Sequence, residues 1–156
     1  MDNLTKNTNL LQKTGFKLMI NSAEFSNTAF FVVSANIPGI SVAPTQSNFR
    51  NRKGFVPGET IEYEQLSVRM AIDENMEAYK EIFDWIVAQS NVVGGVVHDL
   101  SLVVLSSHSN PNKRFAFKNA FPISLGAIEF STQESDVEYS YVDVSFQYDS
   151  FEIKSV

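Results

Sequence analysis

Two histidines, one adjacent carboxylate pair and one basic cluster are the residues of this chain whose types and spacing could support chemistry. His98 and His108 stand ten positions apart. Neither has a second His or a carboxylate at metal-ligand spacing, so each reads as a surface or turn residue. Asp73 and Glu74 offer a general acid and base, but they open a helical pattern, where a helix cap accounts for both. Gly94-Gly95 is followed by Val96-Val97 and lacks the Lys-Ser/Thr of a phosphate-binding loop. No GxSxG or HExxH occurs, and the absence of any Cys excludes disulfides, thiolate metal sites and a cysteine nucleophile. The basic cluster, Arg50, Arg52 and Lys53, lies in the polar stretch SNFRNRKGF between Phe49 and Phe55. That setting favours a solvated loop or a protein contact over a phosphate-binding patch. No catalytic constellation, metal site or cofactor motif emerges, and the chain reads as a protein that is not an enzyme.

The elements that would position any site come from composition and periodicity. A chain of 156 residues is most simply one domain, long enough to bury a core without staples. The net charge of −6 argues against a protein whose main task is to grip nucleic acid through its phosphates. A surface along which nucleic acid passes without sticking remains open. Thirteen Phe among nineteen aromatics point to a β-rich protein. The N-terminus has no secretory pattern and no apolar stretch approaches the ~20 residues of a membrane span, which reads as a soluble protein made in a cytoplasm.

Residues 1–15 form an extended polar arm anchored by Leu10 and Leu11, and residues 16–156 a single β domain. Strands are predicted over Gly15–Ile20, Ala29–Ile37, Thr60–Ile72, Leu100–Leu105, Arg114–Phe121 and Leu125–Ser131, with corners at Pro38-Gly39 and Pro122. Residues 44–59 carry two Pro and two Gly without helical or strand periodicity, the mark of a long loop that is functional or held by a partner. A helix over 74–90 starts at an Asp73 cap and repeats Met76, Tyr79, Ile82, Phe83, Ile86 and Val87 at helical spacing, with Trp85 beside the stripe in a packing role. The last segment, Asp136 to Ile153, alternates over an unusual length. Val142, Val144, Phe146 and Tyr148 fall on one face, and Asp143, Ser145, Gln147 and Asp149 on the other. Such a run implies a strand that bends or spans more than one sheet. Together these elements predict a mainly β fold, a sandwich or barrel of antiparallel strands with one flanking helix.

The order of pieces resembles the tail tube proteins of contractile-tailed bacteriophages. The residues that carry the resemblance are NIPGI, the punctuated FVPGET loop, VRMAIDENMEAYKEIFDWI, the AFP corner at Ala120-Phe121-Pro122 and the terminal strand ending in FEI. The resemblance implies a structural virion protein whose hexameric rings stack into an inner tube, assembled in the host cytoplasm. Strands of neighbouring subunits would continue into one ring-wide barrel, removing the exposed edges of long strands. It further implies sheath and baseplate partners and transient passage of double-stranded DNA through the lumen. Lumen candidates are then Asp143, Ser145, Gln147 and Asp149, with Ser67 and Arg69 from the partner strand. Phe49, Arg50, Arg52, Lys53 and Phe55 become contacts between subunits or rings, and Leu10 and Leu11 contacts of the arm. A tube-initiating baseplate protein, a type VI secretion tube component and, from another class, a carbohydrate-binding β-sandwich are the alternatives.

Overall fold

The computed structural model describes residues 9–21, 25, 28–29, 31–133 and 138–156. The first eight residues of the expected arm and the first two of the expected terminal strand lie outside these. The architecture is mainly antiparallel β. Eleven strands are described: β1 (Phe16–Ile20), β2 (Val32–Asn36), β3 (Ile40–Val42), β4 (Thr45–Phe49), β5 (Arg52–Val56), β6 (Ile61–Tyr63), β7 (Leu66–Ala71), β8 (His98–Leu105), β9 (Pro111–Leu125), β10 (Tyr141–Gln147) and β11 (Ser150–Ser155). One helix, α1 (Glu77–Asn91), separates β7 from β8.

Alternation decides the strands. In β7, Leu66, Val68 and Met70 are buried while Ser67, Arg69 and Ala71 point away. β10 repeats the pattern with Val142, Val144 and Phe146 inside, in direct register with β7. Each buried side chain of this size stabilises the fold by roughly 1.5–3 kcal/mol, so a face of three on each of two strands fixes the register. A one-residue slip of either strand would turn its set into water.

β9 joins the two halves of the molecule. Its Lys113–Lys118 part lies between β8 and β11, in a sheet completed by β1. Its Phe121–Leu125 part pairs with β10, which continues to β7 and then β2. The corner between the parts is Asn119, at φ 51°, a left-handed conformation that Asn tolerates better than most residues. Asp99 Oδ1 accepts from the Asn119 backbone N–H, and Asp149 Oδ2 from its side-chain amide at 2.6 Å. The expected corner at Pro122 is therefore displaced. Pro122 sits buried inside β9 opposite Phe146, where the register shifts by a bulge, one of the few strand positions that suits a residue without an N–H. No separate strand follows over 125–131.

The terminal segment is likewise two strands rather than one. It breaks at Tyr148-Asp149 and passes from the β10 sheet to the β11 side of β9, so the alternating run does span two sheets. The core between the sheets includes Leu18, Leu102, Phe117, Phe146 and Tyr148, and α1 adds Ala78, Ile82 and Trp85. Trp85 is core, its indole N–H donating to the Val96 carbonyl at 2.8 Å. Phe83 and Val87 of the expected stripe are instead exposed. The helix begins three residues later than expected because Asp73–Met76 forms a turn. The cap position is therefore Met76, at φ 56°, and not Asp73 as expected, although the Asp73 carboxylate reaches over the turn to accept from the Glu77 and Ala78 N–H groups at 3.2 and 3.3 Å.

Residues 44–59 are not an irregular loop. β4 and β5 pair from Thr45↔Val56 to Phe49↔Arg52, and β3 pairs with β6 beneath them. The whole run from Ile40 to Tyr63 is a projecting two-stage hairpin, the arm.

Candidate functional site

Two surfaces stand out from the packed body: a polar sheet face and the arm. The polar face belongs to β9, β10, β7 and β2. Register places Ser34, Arg69 and Asp143 in one transverse row, and Asn36, Ser67, Ser145 and Ser124 in the next. Six of these seven line a shallow concavity, Ser124 being the exception. The Arg69 guanidinium lies 5.2 Å from the centre of the Tyr141 ring. Among the described residues, the ion pairs within 4 Å are Lys118–Asp99 and Lys154–Glu152, both on the other sheet. The Lys118 ammonium donating to Asp99, with the Asn119 N–H, holds that carboxyl below its usual range. Across that other sheet, Lys17, Arg114 and Lys154 share one row through Val103. The two sheets thus differ in charge: one outer face mixes Ser and Asn with a single Arg and Asp, and the other sheet carries more charge of both signs, Lys17, Arg114, Lys118 and Lys154 with Asp99 and Glu152.

Of the residues expected together, Ser67, Arg69, Asp143 and Ser145 are brought together. Gln147 follows Ser145 at the far end of β10. Asp149 lies off the strand, in the corner where Asn119 holds it. Ser34, Asn36 and Ser124 were not expected, although Ser34 and Asn36 alternate with Ala35 in VVSAN and that period marks them.

The arm is preorganised at its tip. The Arg52 guanidinium stands 5.6 Å from the centre of the Phe49 ring, and a Cβ on Gly54 would come within 2.6 Å of that ring, so only glycine leaves it room to lie flat. Phe49 and Phe55 are 53% and 71% exposed. At the neck, the Glu64 N–H donates to Gly39 O, the Glu64 carboxylate accepts from Gly39 N–H, and Tyr148 Oη donates to Glu64 O at 2.6 Å. Burial pushes the Tyr148 phenol up to about 12. Leu10 and Leu11 are exposed beside the β8–β9 turn.

The histidines are accounted for by their neighbours. His98 is half-buried with its ring 5.2 Å from Phe25 and 5.0 Å from Trp85, and His108 Nδ1 lies 3.2 Å from Ser107 Oγ in a turn. Among the described residues, no three His, Cys, Asp or Glu converge to hold a metal ion, and no helix is long and apolar enough to cross a membrane.

The molecule thus joins a sheet that is apolar on one side and small and polar on the other to a projecting arm with exposed apolar side chains. The sequence matches the family model described as phage tail tube protein over residues 3–154. The chain belongs to that family, and it is a structural tail tube protein. Its fold is similar to a chain of the sheath–tube complex of an extracellular contractile injection system, PVC, in the extended state, at 15% identity and a TM-score of 0.73, covering 94% of this chain and 93% of that one. It is also similar to a chain of the anti-feeding prophage cap, at 14% identity and TM-score 0.70 with 99% and 97% covered. A chain of the six-fold symmetrised anti-feeding prophage baseplate is similar at 9% identity and TM-score 0.60, with 89% and 90% covered. At these identities the likenesses establish the fold. No curated protein matches the sequence at a significant level.

Proposed function

We propose that this chain forms closed rings stacked into the inner tube of a contractile tail, and that the polar face of β9, β10, β7 and β2 lines a channel for double-stranded DNA. The observation that carries this is the open-ended sheet. One edge is β2 and the other is Phe121–Leu125 of β9, and among the described residues neither edge has a further strand beside it. Unpaired edges of a sheet with one apolar face invite the neighbouring copy, and edge-to-edge addition ends only when the sheet closes on itself. We take the ring to be hexameric, in keeping with the family and with the six-fold symmetry of the similar baseplate chain.

Electrostatics fits a conduit. The lining of Ser34, Asn36, Ser67, Ser145 and the Arg69–Asp143 row has no run of cations. Phosphate binding scales with the number of cations engaged, so a near-neutral wall lets the duplex slide. Gln147 extends this lining, and Asp149, held in its corner, contributes least. The arm, through Phe49, Arg50, Arg52, Lys53 and Phe55, and the N-terminal residues Leu10 and Leu11 contact adjacent subunits. Residues 1–15 act as a separate arm, with 16–156 as the single domain that it serves. The sheath and the baseplate are the outer partners, as the similar chains occur in such assemblies. Assembly takes place in the host cytoplasm before incorporation into the virion tail, and the protein has no catalytic role.

Negative-stain electron microscopy of the purified chain at high concentration, with a preformed tail end added as nucleus, tests this directly. Hollow tubes are expected. Dispersed monomers in the presence of the nucleus would refute it. Within assembled tails, Asp143→Lys is expected to spare the tube and reduce DNA delivery severalfold by adding a cation to every subunit of the wall. Unchanged infectivity would take this face out of the lumen.

A further inference from the structure

The sheet opposite the proposed lumen wall holds four of the chain's twelve cations on its outer face, and lining a channel uses none of them. Lys17, Arg114 and Lys154 share one row across β1, β9 and β11, through Val103 of β8. Lys118 stands four residues along β9 from Arg114, on the same face. The row between them is Met19, Ser101, Ala116 and Glu152. Its centre, Ser101 and Ala116, is small and leaves a shallow trough of about 460 Å³. Arg114 and Lys154 line one side of this trough, and Lys118 with Asp99 the other. At about 3.4 Å per residue the two sides stand about 13 Å apart, which admits a single chain segment.

We propose that this trough seats an acidic segment of the protein that encloses the tube. An electrostatic imbalance left within the chain is the first reason. Arg114 and Lys154 are direct cross-strand partners, and like charges so placed repel and destabilise a sheet. Lys154 has Glu152 beside it and Lys118 has Asp99, but among the described residues neither Lys17 nor Arg114 has a carboxylate within 4 Å. Carboxylates from another molecule relieve the repulsion and pair both cations.

Sign is the second reason. By total charge, a chain at −6 attracts a cationic partner. This face reverses that locally, with four cations against two carboxylates, and so selects a partner of the opposite kind. Asp99 and Glu152 also separate peptide from nucleic acid. A duplex presents an unbroken line of phosphates that both would repel, whereas a peptide can set its carboxylates over the cations and neutral residues over these two. Position is the third reason. With the polar face of β9, β10, β7 and β2 on the channel, this face lies across the core from it and points to the tube exterior. The proposal rests on the tube reading and deepens it by naming the charge of the outer partner.

Fluorescence anisotropy of a labelled peptide of about twelve residues alternating Glu and Ala, titrated with the full-length chain, tests the seat in the presence or absence of tubes. Binding to the wild-type chain is expected, weakened severalfold by raising the salt from about 0.05 to about 0.3 M. Lys17→Glu/Arg114→Glu leaves both ion pairs of this sheet intact. It is expected to lose the acidic peptide roughly tenfold or more and to gain the counterpart in which Lys replaces Glu, which only a folded seat would do. Equal affinity of the two chains for the acidic peptide, or a short DNA duplex bound as tightly as that peptide, would overturn the proposal. In tails assembled in the host, the same double variant is expected to give tubes without their sheath. Sheathed tails in wild-type numbers would overturn the seat and leave the tube reading standing. A variant that no longer forms tubes would place this face between subunits and overturn it as well. Wild-type chain that binds the peptide but forms no tubes, with a nucleating tail end present, would overturn the tube reading alone.

Discussion

The body and the arm are made of the same antiparallel ladder and differ in what covers it. In the body, Leu18, Leu66, Phe117 and Phe146 are sealed between two sheets and a helix. In the arm, Ile40, Val42, Phe49, Phe55, Val56 and Ile61 project from strands whose pairing is just as regular, and they are exposed. A two-stranded hairpin without a second layer is marginal by itself in water. The contrast teaches that backbone pairing gives the arm its shape with its apolar side chains left exposed, and on the proposed reading another copy covers them. On that reading core packing and assembly use the same physics, applied within the chain in one case and between chains in the other.

The largest effect that would sharpen this contrast is in the body. Phe117 is fully buried, with its ring centre 4.9 Å from Tyr148 and 5.4 Å from Phe151. Phe117→Ala leaves a cavity that neighbouring rings fill only in part, and is expected to cost about 3–5 kcal/mol in a denaturant titration of the monomer. A loss below about 1 kcal/mol would mean that the body is packed no better than the arm, and the comparison would fail.

An intermediate effect is expected where the two regions meet. Tyr148 is a core residue whose hydroxyl donates to the Glu64 carbonyl, while the Glu64 N–H and carboxylate clasp Gly39. This makes Tyr148 the tie between core and arm. Tyr148→Phe is expected to cost about 1 kcal/mol and to speed amide hydrogen exchange over residues 39–64 more than elsewhere. Burial raises the phenol from 10.0 to about 12, so the folded state holds the proton more tightly than the unfolded chain. The associated stability is fully present below pH 10 and is lost as the pH rises from 10 to about 12. Stability of wild-type protein should fall across that window and that of Tyr148→Phe should fall less. Parallel curves would show that the phenol is not buried as described.

The sequence shows the body far better than the arm, and burial is the reason. β7 and β10 were legible because each has one face in the core, which imprints a period of two on the residue types. TQSNF and RKGFV have no buried face, so nothing imprints a period, and β4 and β5 were invisible although their ladder is intact. The corner of β9 was misplaced for a different reason. Pro122 signals a break locally, whereas the actual turn at Asn119 is held by Asp99 and Asp149, partners distant in the chain. Among the lining residues, Ser67 and Ser145 followed from alternation. Ser34 and Asn36 carry the same signal, interrupted at Val33, where the pairing with β7 shifts register.

The smallest effect on the subunit itself is expected at the arm, and it separates folding from assembly. Phe55 is exposed, faces Gln46 across the hairpin and lies outside the core cluster, so Phe55→Ala removes no buried contact of the monomer. Monomer stability should change by no more than about 0.5 kcal/mol. If the arm's aromatics are seated in a second copy, the same substitution truncates a large anchor in every repeated contact, and the loss multiplies along the stack. Tube yield should therefore fall sharply while the melting curve stays in place. Equal losses in both measurements would mean that Phe55 packs on its own body, and that the arm is an extension of the core rather than a surface waiting for one.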